Sequence, residues 1–363
     1  MRRILVAALA LLATAGLGCG DTDEATAKIA RTFYGVAPQD AVSDADLARM
    51  GKGDVGSYHL LLSWARTETA EGTYDWTEYD QLIGELSAQG IEPIAYVFGT
   101  PPWLARSGSV PPVRNADARE AYRDFLTVAL QRYGPTGAFW DTFALTHPGV
   151  EPQPIRVWEI WNEINSPNFW KPRPDPGEYA KLFRLSEKTL HRFDPEAQVM
   201  IAGMFATPQS NKALTSFEYL SELYSKPGVA EASDLVGIHP YGPKVGDVKK
   251  QMQKTLKVMK NGGDGGDGTW ITEIGWGSDP KVRSQLSKTP KKQAALLRKT
   301  YKMLVAKRGR WNLNGALWYT WRDADDPTAL VCGWCGSAGL VDDDLDTKPA
   351  WRAFTKLTGG SPG

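Results

Sequence analysis

Residues 155–163 read IRVWEIWNE, and five of the first seven are apolar. A short run of this kind is typical of a strand in a parallel sheet, which is buried on both faces. Asn162 and Glu163 follow the run directly, where a soluble protein would ordinarily place surface residues. The stretch therefore predicts a buried strand whose carboxyl end presents a glutamate.

Eight strand-like segments alternate with helix-like segments along the chain. They are RTFYGV from Arg31, SYHLLLS from Ser57, EPIAYVF from Glu92, IRVWEIW from Ile155, QVMIAGM from Gln198, DLVGIH from Asp234, TWITE from Thr269 and NGALWYT from Asn314. Eight such units predict an α/β fold, a single-domain (β/α)8 or TIM barrel. The alternative is a doubly wound open sheet, but YGVAPQD at residues 34–40 does not resemble the glycine-rich fingerprint expected after its first strand.

Helix start signals support the alternation of strands and helices. Thr77 and Asn115 precede runs with apolar residues at helical spacing, and Thr289 is followed by Pro290. Threonine and asparagine accept hydrogen bonds from free amides at a helix start, and proline suits the first turn. We therefore expect helices that begin at these three positions.

A second glutamate ends another strand-like segment. Glu273 lies in WITEIGW at residues 270–276, at the end of the seventh strand, whereas Glu163 ends the fourth. Active sites of such barrels lie at the carboxyl ends of the strands, so the two carboxylates can converge over the mouth. Two carboxylates flanking one bond are what glycoside hydrolysis requires.

These motifs resemble the clan A glycoside hydrolases, in particular families 5 and 39 and their cellulase-like bacterial relatives. The resemblance covers nearly the whole exported chain. Its motifs, in order, are SWARTETAEGTYDW from Ser63, GTPPW from Gly99, WNE from Trp161, HPYG from His239, TEIGW from Thr272 and WYTWRD from Trp318. It implies a retaining hydrolase of a β-linked oligo- or polysaccharide. We expect neither a metal nor an organic cofactor.

The resemblance also implies roles for particular residues. Glu163 is expected to be the acid/base and Glu273 the nucleophile of a double-displacement mechanism. Asn162 is expected to hydrogen-bond the 2-hydroxyl of the sugar. His239 and Tyr241 are expected to flank Glu273 and help to hold it ionised.

Aromatic residues are further candidates for contact with a sugar, because its apolar face stacks on aromatic rings. The chain has 14 tryptophans and 13 tyrosines. The resemblance makes Trp321 the platform at the catalytic subsite, and Trp103 and Trp276 are additional candidates.

Two positions depart from the family pattern. Ile164 stands where proline commonly follows the glutamate, and His59 stands on the second strand where relatives often carry an arginine that supports the nucleophile. His59 is therefore a candidate site residue. Glu159 shares strand parity with Glu163 and can point into the barrel, where it would need a partner. His59 is one candidate for that partner.

Composition sets limits on partners. Lysine plus arginine and aspartate plus glutamate number 42 each, so the formal net charge is zero and no nucleic-acid partner is indicated. We expect a monomer whose partner is an oligo- or polysaccharide. Two other functions stay open, a non-catalytic carbohydrate-binding protein on the same barrel and a transglycosylase.

The N-terminus has the features of an export signal. Arg2 and Arg3 precede an apolar run over residues 4–13, and small residues lead to Cys19. We expect a lipoprotein signal peptide over residues 1–18 with lipidated Cys19, and ordinary secretory cleavage near residue 18 is the alternative. Residues 19–28 are expected to be a tether, and residues 29–363 the catalytic domain. The protein would be exported, held at the membrane only by its lipid anchor or extracellular.

Two further cysteines agree with export. Cys332 and Cys335 lie in VCGWCG, in a late glycine-rich loop. Two cysteines do not complete a four-ligand zinc site without histidines, and the loop is unlike the strand and helix start that carry a redox C-x-x-C. We therefore expect a small structural disulfide.

Overall fold

Eight parallel strands close into a barrel, with β1 pairing to β8, in a computed structural model that describes residues 28–206, 213–326 and 332–363. The strands are β1 (Tyr34–Val36), β2 (Ser57–Ser63), β3 (Glu92–Phe98), β4 (Val157–Ile160), β5 (Gln198–Ile201), β6 (Leu235–Ile238), β7 (Gly268–Ile274) and β8 (Leu313–Trp318). The predicted single-domain (β/α)8 barrel is confirmed. The predicted signal peptide, Cys19 and nearly all of the tether lie outside the described residues.

Helices connect successive strands and surround the barrel. They are α1 (Asp44–Lys52), α2 (Trp64–Thr67), α3 (Thr77–Ala88), α4 (Ala116–Tyr133), α5 (Phe139–Thr146), α6 (Pro176–Phe193), α7 (Ser216–Tyr224), α8 (Val245–Asn261), α9 (Pro290–Lys307) and α10 (Pro349–Thr358). Among the described residues, no helix combines the length and apolar character that a membrane crossing requires.

The helix starts agree with the sequence at two of three positions. Asn115 caps α4 and Thr289 caps α9, each by accepting from a backbone amide. The expected cap at Thr77 is wrong, because Thr77 is already the first residue of α3 and its amide donates to Asp75 at 3.0 Å. Asp75, and not Thr77, thus provides the side chain that accepts a backbone hydrogen bond at this helix start.

The first strand is shorter than the sequence indicates. Its expected first half, Arg31–Phe33, forms a turn of 3₁₀ helix instead. The Arg31 guanidinium pairs with Asp54 at 2.6 Å and donates to the carbonyls of Gln89 and Gly90. These residues precede β2 and β3, so Arg31 holds its segment across the amino-terminal end of the barrel rather than in line with the sheet.

The barrel interior changes from apolar to polar toward the carboxyl ends of the strands. An apolar cluster fills the lower interior, formed by Ala37, Ile94, Val157, Met200, Leu235, Trp270 and Leu317. Side chains two residues further along a strand point to the same face. The next inward positions are Tyr96, Glu159, Thr272 and Tyr319. The fold therefore brings a set of polar side chains to the mouth of the barrel.

Candidate active site

A sharp turn after β4 aims Glu163 at the mouth of the barrel. Trp161 and Glu163 have φ angles of 76° and 40°, in the left-handed region that non-glycine residues rarely adopt. Two hydrogen bonds to neighbouring segments hold the backbone in this conformation. The Trp161 indole donates to the carbonyl of Phe169 at 2.6 Å, and the Glu163 amide donates to the carbonyl of Gly203 at 3.0 Å. Strained backbone held in this way is characteristic of functional sites.

His239 lies between the two predicted carboxylates. Its Nδ1 atom is 3.1 Å from Oε1 of Glu163 and 3.6 Å from Oε2 of Glu273. The Tyr241 hydroxyl donates to Oε2 of Glu273 at 2.8 Å. The structure thus brings together all four residues, and His239, expected to flank Glu273, has its shorter contact with Glu163.

The three ionisable groups are close enough to control one another's protonation. One oxygen of Glu163, one oxygen of Glu273 and one nitrogen of His239 all lie within 4.8 Å of each other. Burial raises the pKa of Glu163, and the nearby Glu273 adds to this, while His239 opposes it. Burial lowers the pKa of His239, but Glu273 and Glu163 outweigh it and raise that pKa to about 9. A cationic imidazole between two carboxyl groups follows.

Asn162 and Trp103 have different relations to this site. Asn162 is 7% exposed, and its Oδ1 atom is buried without a hydrogen-bond partner among the described residues. An orphaned acceptor next to Glu163 is consistent with the expected contact to a hydroxyl group. Trp103 is half-buried beside α2, where its indole donates to the carbonyl of Glu68 and its ring contacts Trp64 edge-on. Its contact with a sugar stays a prediction.

Two tryptophans proposed as sugar platforms are buried instead. Trp321 is 1% exposed, its indole donates to Asp46 of α1 at 2.6 Å, and its ring packs edge-on against Trp351 of α10. Trp276 is fully buried, and its indole donates to the carbonyl of Gly242 at 2.8 Å. Both rings serve the packing behind the loops, so the expectation that they stack on substrate is wrong.

Tyr319 and Trp334, which the sequence did not single out, line the site in their place. Tyr319 follows β8 on the inward face, and its ring centroid lies 6.4 Å from that of Tyr241. Trp334 contacts both tyrosines edge-on, with centroids 5.2 Å from Tyr241 and 6.0 Å from Tyr319. Both are only half-buried. A signal for Tyr319 was available, because Leu317 and Tyr319 share the inward strand parity.

The late cysteine pair holds the loop that carries Trp334. Cys332 and Cys335 form a disulfide with Cα atoms 5.5 Å apart, and a 3₁₀ turn begins at Cys335. Trp334 is inside this four-residue ring. The short disulfide loop therefore restrains the indole of Trp334, which lines the site.

His59 has a partner inside the barrel. It is 4% exposed, and its Nε2 atom lies 2.8 Å from Oε2 of the fully buried Glu159. Its ring lies 4.3 Å from that of Tyr96. The suspected pairing with Glu159 is present. Contact of His59 with substrate stays a prediction, because its Nε2 atom is already paired with a buried carboxylate.

Gln39 is a further polar residue that the sequence did not reveal. The Tyr319 hydroxyl donates to its Oε1 atom at 2.9 Å. Its Nε2 atom is buried and has no partner in the described parts of the chain. Gln39 also lines a cavity of about 290 Å³ beside β2, together with His59 and Tyr96. This cavity adjoins the polar part of the barrel interior.

Fold and site together define a class, the (β/α)8 barrels that carry two carboxylates at the mouth. No family model matches the chain. In structure it is similar to a family 39 glycoside hydrolase from Bacteroides cellulosilyticus WH2, with a TM-score of 0.66 and 19% identity, covering 91% of this chain and 65% of the other. It is also similar to a monomeric beta-xylosidase from Caulobacter crescentus CB15, with a TM-score of 0.64 and 18% identity, covering 91% of this chain and 69% of the other.

In sequence the chain is similar to a beta-xylosidase of Geobacillus stearothermophilus. The two are 26% identical over 136 residues, which are 35% of this chain and 24% of the relative. The matched region is thus about a quarter of the curated relative. The solved structures share the fold of this chain.

Proposed function

We propose that the protein is a retaining glycoside hydrolase that cleaves a β-linked oligo- or polysaccharide with Glu163 and Glu273. One observation carries the proposal, namely that an oxygen of each carboxyl group lies within 4.8 Å of the other, with His239 in contact with both. Retaining enzymes hold the two carboxyl groups about 5–5.5 Å apart, whereas inverting enzymes leave about 6.5–9.5 Å for a water molecule. An oxygen–oxygen distance within 4.8 Å leaves little room for a water molecule between the two groups, which supports the retaining class.

The first half-reaction forms a covalent glycosyl-enzyme. Glu273 attacks the anomeric carbon, the bond from that carbon to the leaving oxygen breaks, and Glu163 gives its proton to that oxygen. Tyr241 donates a hydrogen bond to Glu273, and such a bond orients the attacking carboxylate. In the second half-reaction Glu163 removes a proton from water, the resulting hydroxide attacks the anomeric carbon, and the ester to Glu273 breaks with net retention.

The electrostatics suit this division of labour. Burial and the charge of Glu273 raise the pKa of Glu163, as a general acid requires. His239 offsets the negative charge that Glu163 acquires once its proton has left. We expect a bell-shaped pH profile of kcat/KM, with its acid limb set by Glu273 and its basic limb by Glu163. Because the groups interact, the limbs report apparent values for the set.

Two buried polar atoms that have no hydrogen-bond partner among the described residues are available to bind sugar hydroxyls. The Oδ1 atom of Asn162 can accept from the 2-hydroxyl, and the Nε2 atom of Gln39 can donate to a hydroxyl on the side of β1. Tyr319 and Trp334 offer rings to the apolar sugar face. Because named neighbours include a beta-xylosidase and an exo-beta-1,4-mannosidase, aryl β-xylosides, β-glucosides and β-mannosides form the first substrate panel.

The deciding experiment uses Glu163→Ala with an aryl β-glycoside whose leaving group needs no proton. The first half-reaction should survive, the basic limb should vanish, and azide should speed turnover by replacing the water that Glu163 no longer activates. Persistence of the basic limb without any azide effect would show that Glu163 is not the acid/base.

Three other results would change the assignment. Binding of polysaccharide without release of aryl alcohol or reducing sugar would favour a carbohydrate-binding protein. Products longer than the substrate would favour a transglycosylase. Activity that EDTA abolishes and a divalent cation restores would replace the two-glutamate mechanism.

We also propose that the domain formed by residues 29–363 is exported and lipid-anchored through Cys19. The charged, apolar and small residues before Cys19 support this proposal. Mass spectrometry of the mature N-terminus should find diacylglycerol on Cys19. A free N-terminus near residue 19 would indicate ordinary secretion.

A further inference from the structure

A buried polar chain extends from the candidate active site into the barrel interior, and it centres on Glu159. Oε1 of this carboxylate accepts from the amide of Gly203 at 2.5 Å and from the hydroxyl of Thr272 at 3.5 Å. Oε2 lies 2.8 Å from Nε2 of His59. Glu159 is fully buried, and all three neighbours offer hydrogens to it.

Thr272 connects this carboxylate to His239. Because the Thr272 hydroxyl hydrogen points to Glu159, its oxygen is free to accept from Nε2 of His239, which lies 3.0 Å away. That bond requires a hydrogen on Nε2. Nδ1 is then the nitrogen that faces Glu163 and Glu273, either as an acceptor or, in the imidazolium, as a second donor.

The backbone leaves room for this chain at two glycines. A Cβ atom at Gly203 would collide with the His239 ring and with the Thr272 hydroxyl, and one at Gly237 would press on Oε1 of Glu159. Neither glycine has the positive φ that would otherwise explain it. Space for the polar chain is thus a feature of the strands themselves.

We propose that Glu159, supported by His59 and acting through Thr272, is a positioning residue that fixes the tautomer and orientation of His239 toward the two catalytic carboxylates. This inference rests on the proposed function for its effect on catalysis, but the tautomer itself is independent of activity. Among the described residues, no hydrogen bond joins His59, Glu159 or the Thr272 hydroxyl to either reacting carboxylate, so we expect them to act through His239.

The charges around His239 give the direction of the effect. Glu163 faces it from the end of β4, Glu273 from β7, Glu159 through Thr272, and Tyr241 from its own loop. A carboxylate behind the Thr272 hydroxyl favours the cationic imidazole. Without this support His239 would carry less positive charge, and both catalytic carboxyl groups would hold their protons to higher pH.

The test compares Thr272→Val with Thr269→Val. The second variant removes a buried hydroxyl from the same strand that has no part in the hydrogen bonds between Glu159 and His239. In the first variant we expect both limbs of the pH profile to move upward by roughly 0.5–1 pH unit. In the second variant the limbs should stay in place. Thr272→Ser, which keeps the hydroxyl, should restore the limbs.

The tautomer is measured separately by nitrogen NMR of histidine-labelled protein. The chain has four histidines, and His239→Gln identifies the signal of interest. Above pH 9, where the His239 ring is neutral and has a tautomer, we expect a protonated Nε2 in wild type and a mixture of tautomers in Thr272→Val. Glu159→Gln provides a second route if that variant does not fold, with the same loss of a single tautomer. An unchanged His239 signal in both variants would overturn the proposal, whether or not the wild type proves to be a glycosidase.

Discussion

The two ends of the barrel each hold a pair of carboxyl groups, one buried and one half-buried, but they neutralise them differently. At the mouth, Glu163 and Glu273 have His239 between them. At the opposite end, in the loop between α8 and β7, the carboxyl group of Asp264 lies near that of Asp267, and the Tyr224 hydroxyl donates a hydrogen bond to Asp264.

The difference lies in the partner. Burial and the nearby Asp267 carboxyl group raise the pKa of Asp264 to about 8, so Asp264 holds its proton near neutral pH. At the mouth, a histidine whose pKa is raised to about 9 supplies positive charge, and protons can move between the groups. The same burial thus gives a structural clamp at one end and a site suited to acid–base chemistry at the other.

The largest expected effect is on kcat, and it distinguishes the mouth of the barrel from the opposite end. Glu273→Gln removes the nucleophile and should lower kcat by a factor of at least about 10³ in the aryl-glycoside assay, because the covalent step is lost. Asp264→Asn keeps the hydrogen-bonded shape of the lower pair and should leave kcat within about twofold of wild type. Comparable losses in the two variants would contradict the assignment of chemistry to the mouth.

A smaller effect concerns the hydroxyl that orients the nucleophile. Tyr241→Phe removes the bond to Oε2 of Glu273 and should lower kcat/KM by roughly 10- to 100-fold, the value of a hydrogen bond to a charged group. The acid limb should also move to higher pH. Steady-state kinetics across pH measures both, with Tyr224→Phe as the matched change at the lower end, where no catalytic loss is expected.

The pair formed by Asp264 and Asp267 should determine how stability depends on pH. The pKa of Asp264 lies at about 8 in the folded chain, above its ordinary 3.8, so the folded state holds a proton that the unfolded state has lost between these values. Its stabilising contribution is therefore complete below the ordinary pKa and is lost as pH rises through about 8. The difference between 3.8 and about 8 corresponds to at most about 6 kcal/mol, and solvent screening of this partly hydrated pair lowers it, so we expect a loss of roughly 2–4 kcal/mol over that range.

Asp264→Asn should remove most of this dependence, since an amide takes the place of the protonated acid. Urea unfolding at several pH values provides the measurement. His239 contributes a similar slope between its ordinary 6.5 and about 9. His239→Gln should abolish the contribution of His239 between pH 6.5 and about 9. The dependence that Asp264 causes below pH 6.5 should stay intact.

The smallest expected effect concerns the loop over the mouth. Cys332→Ser with Cys335→Ser should release Trp334 and raise KM about two- to fivefold, with kcat little changed, because a ring that packs on substrate becomes less ordered. The ring is short, so the change in stability should be modest. An unchanged KM would show that Trp334 does not meet the sugar.

Some misassignments came from side-chain direction rather than from the motifs. WYTWRD offers two tryptophans near the mouth, and only the fold reveals that Trp321 turns back to Asp46 and Trp351, whereas strand parity alone indicated the inward direction of Tyr319. Strand parity changes where a strand ends, so a spacing rule does not transfer into the loop. Trp334 and Gln39 lie in loops with no periodic pattern at all.

By itself the sequence determined the eight-strand barrel, the position of Glu163 and Glu273 at strand ends, and their company of His239 and Tyr241. The barrel and the strand-end glutamates follow from local patterns, since apolar runs, helix caps and strand-end residues depend on near neighbours, whereas His239 and Tyr241 were expected from the resemblance to the clan A motifs. Only the tertiary structure decided that His239 joins both carboxylates and that Glu159 reaches it through Thr272. Those contacts connect β4, β7 and the loop after β6, and closure of the barrel sets the distances between them.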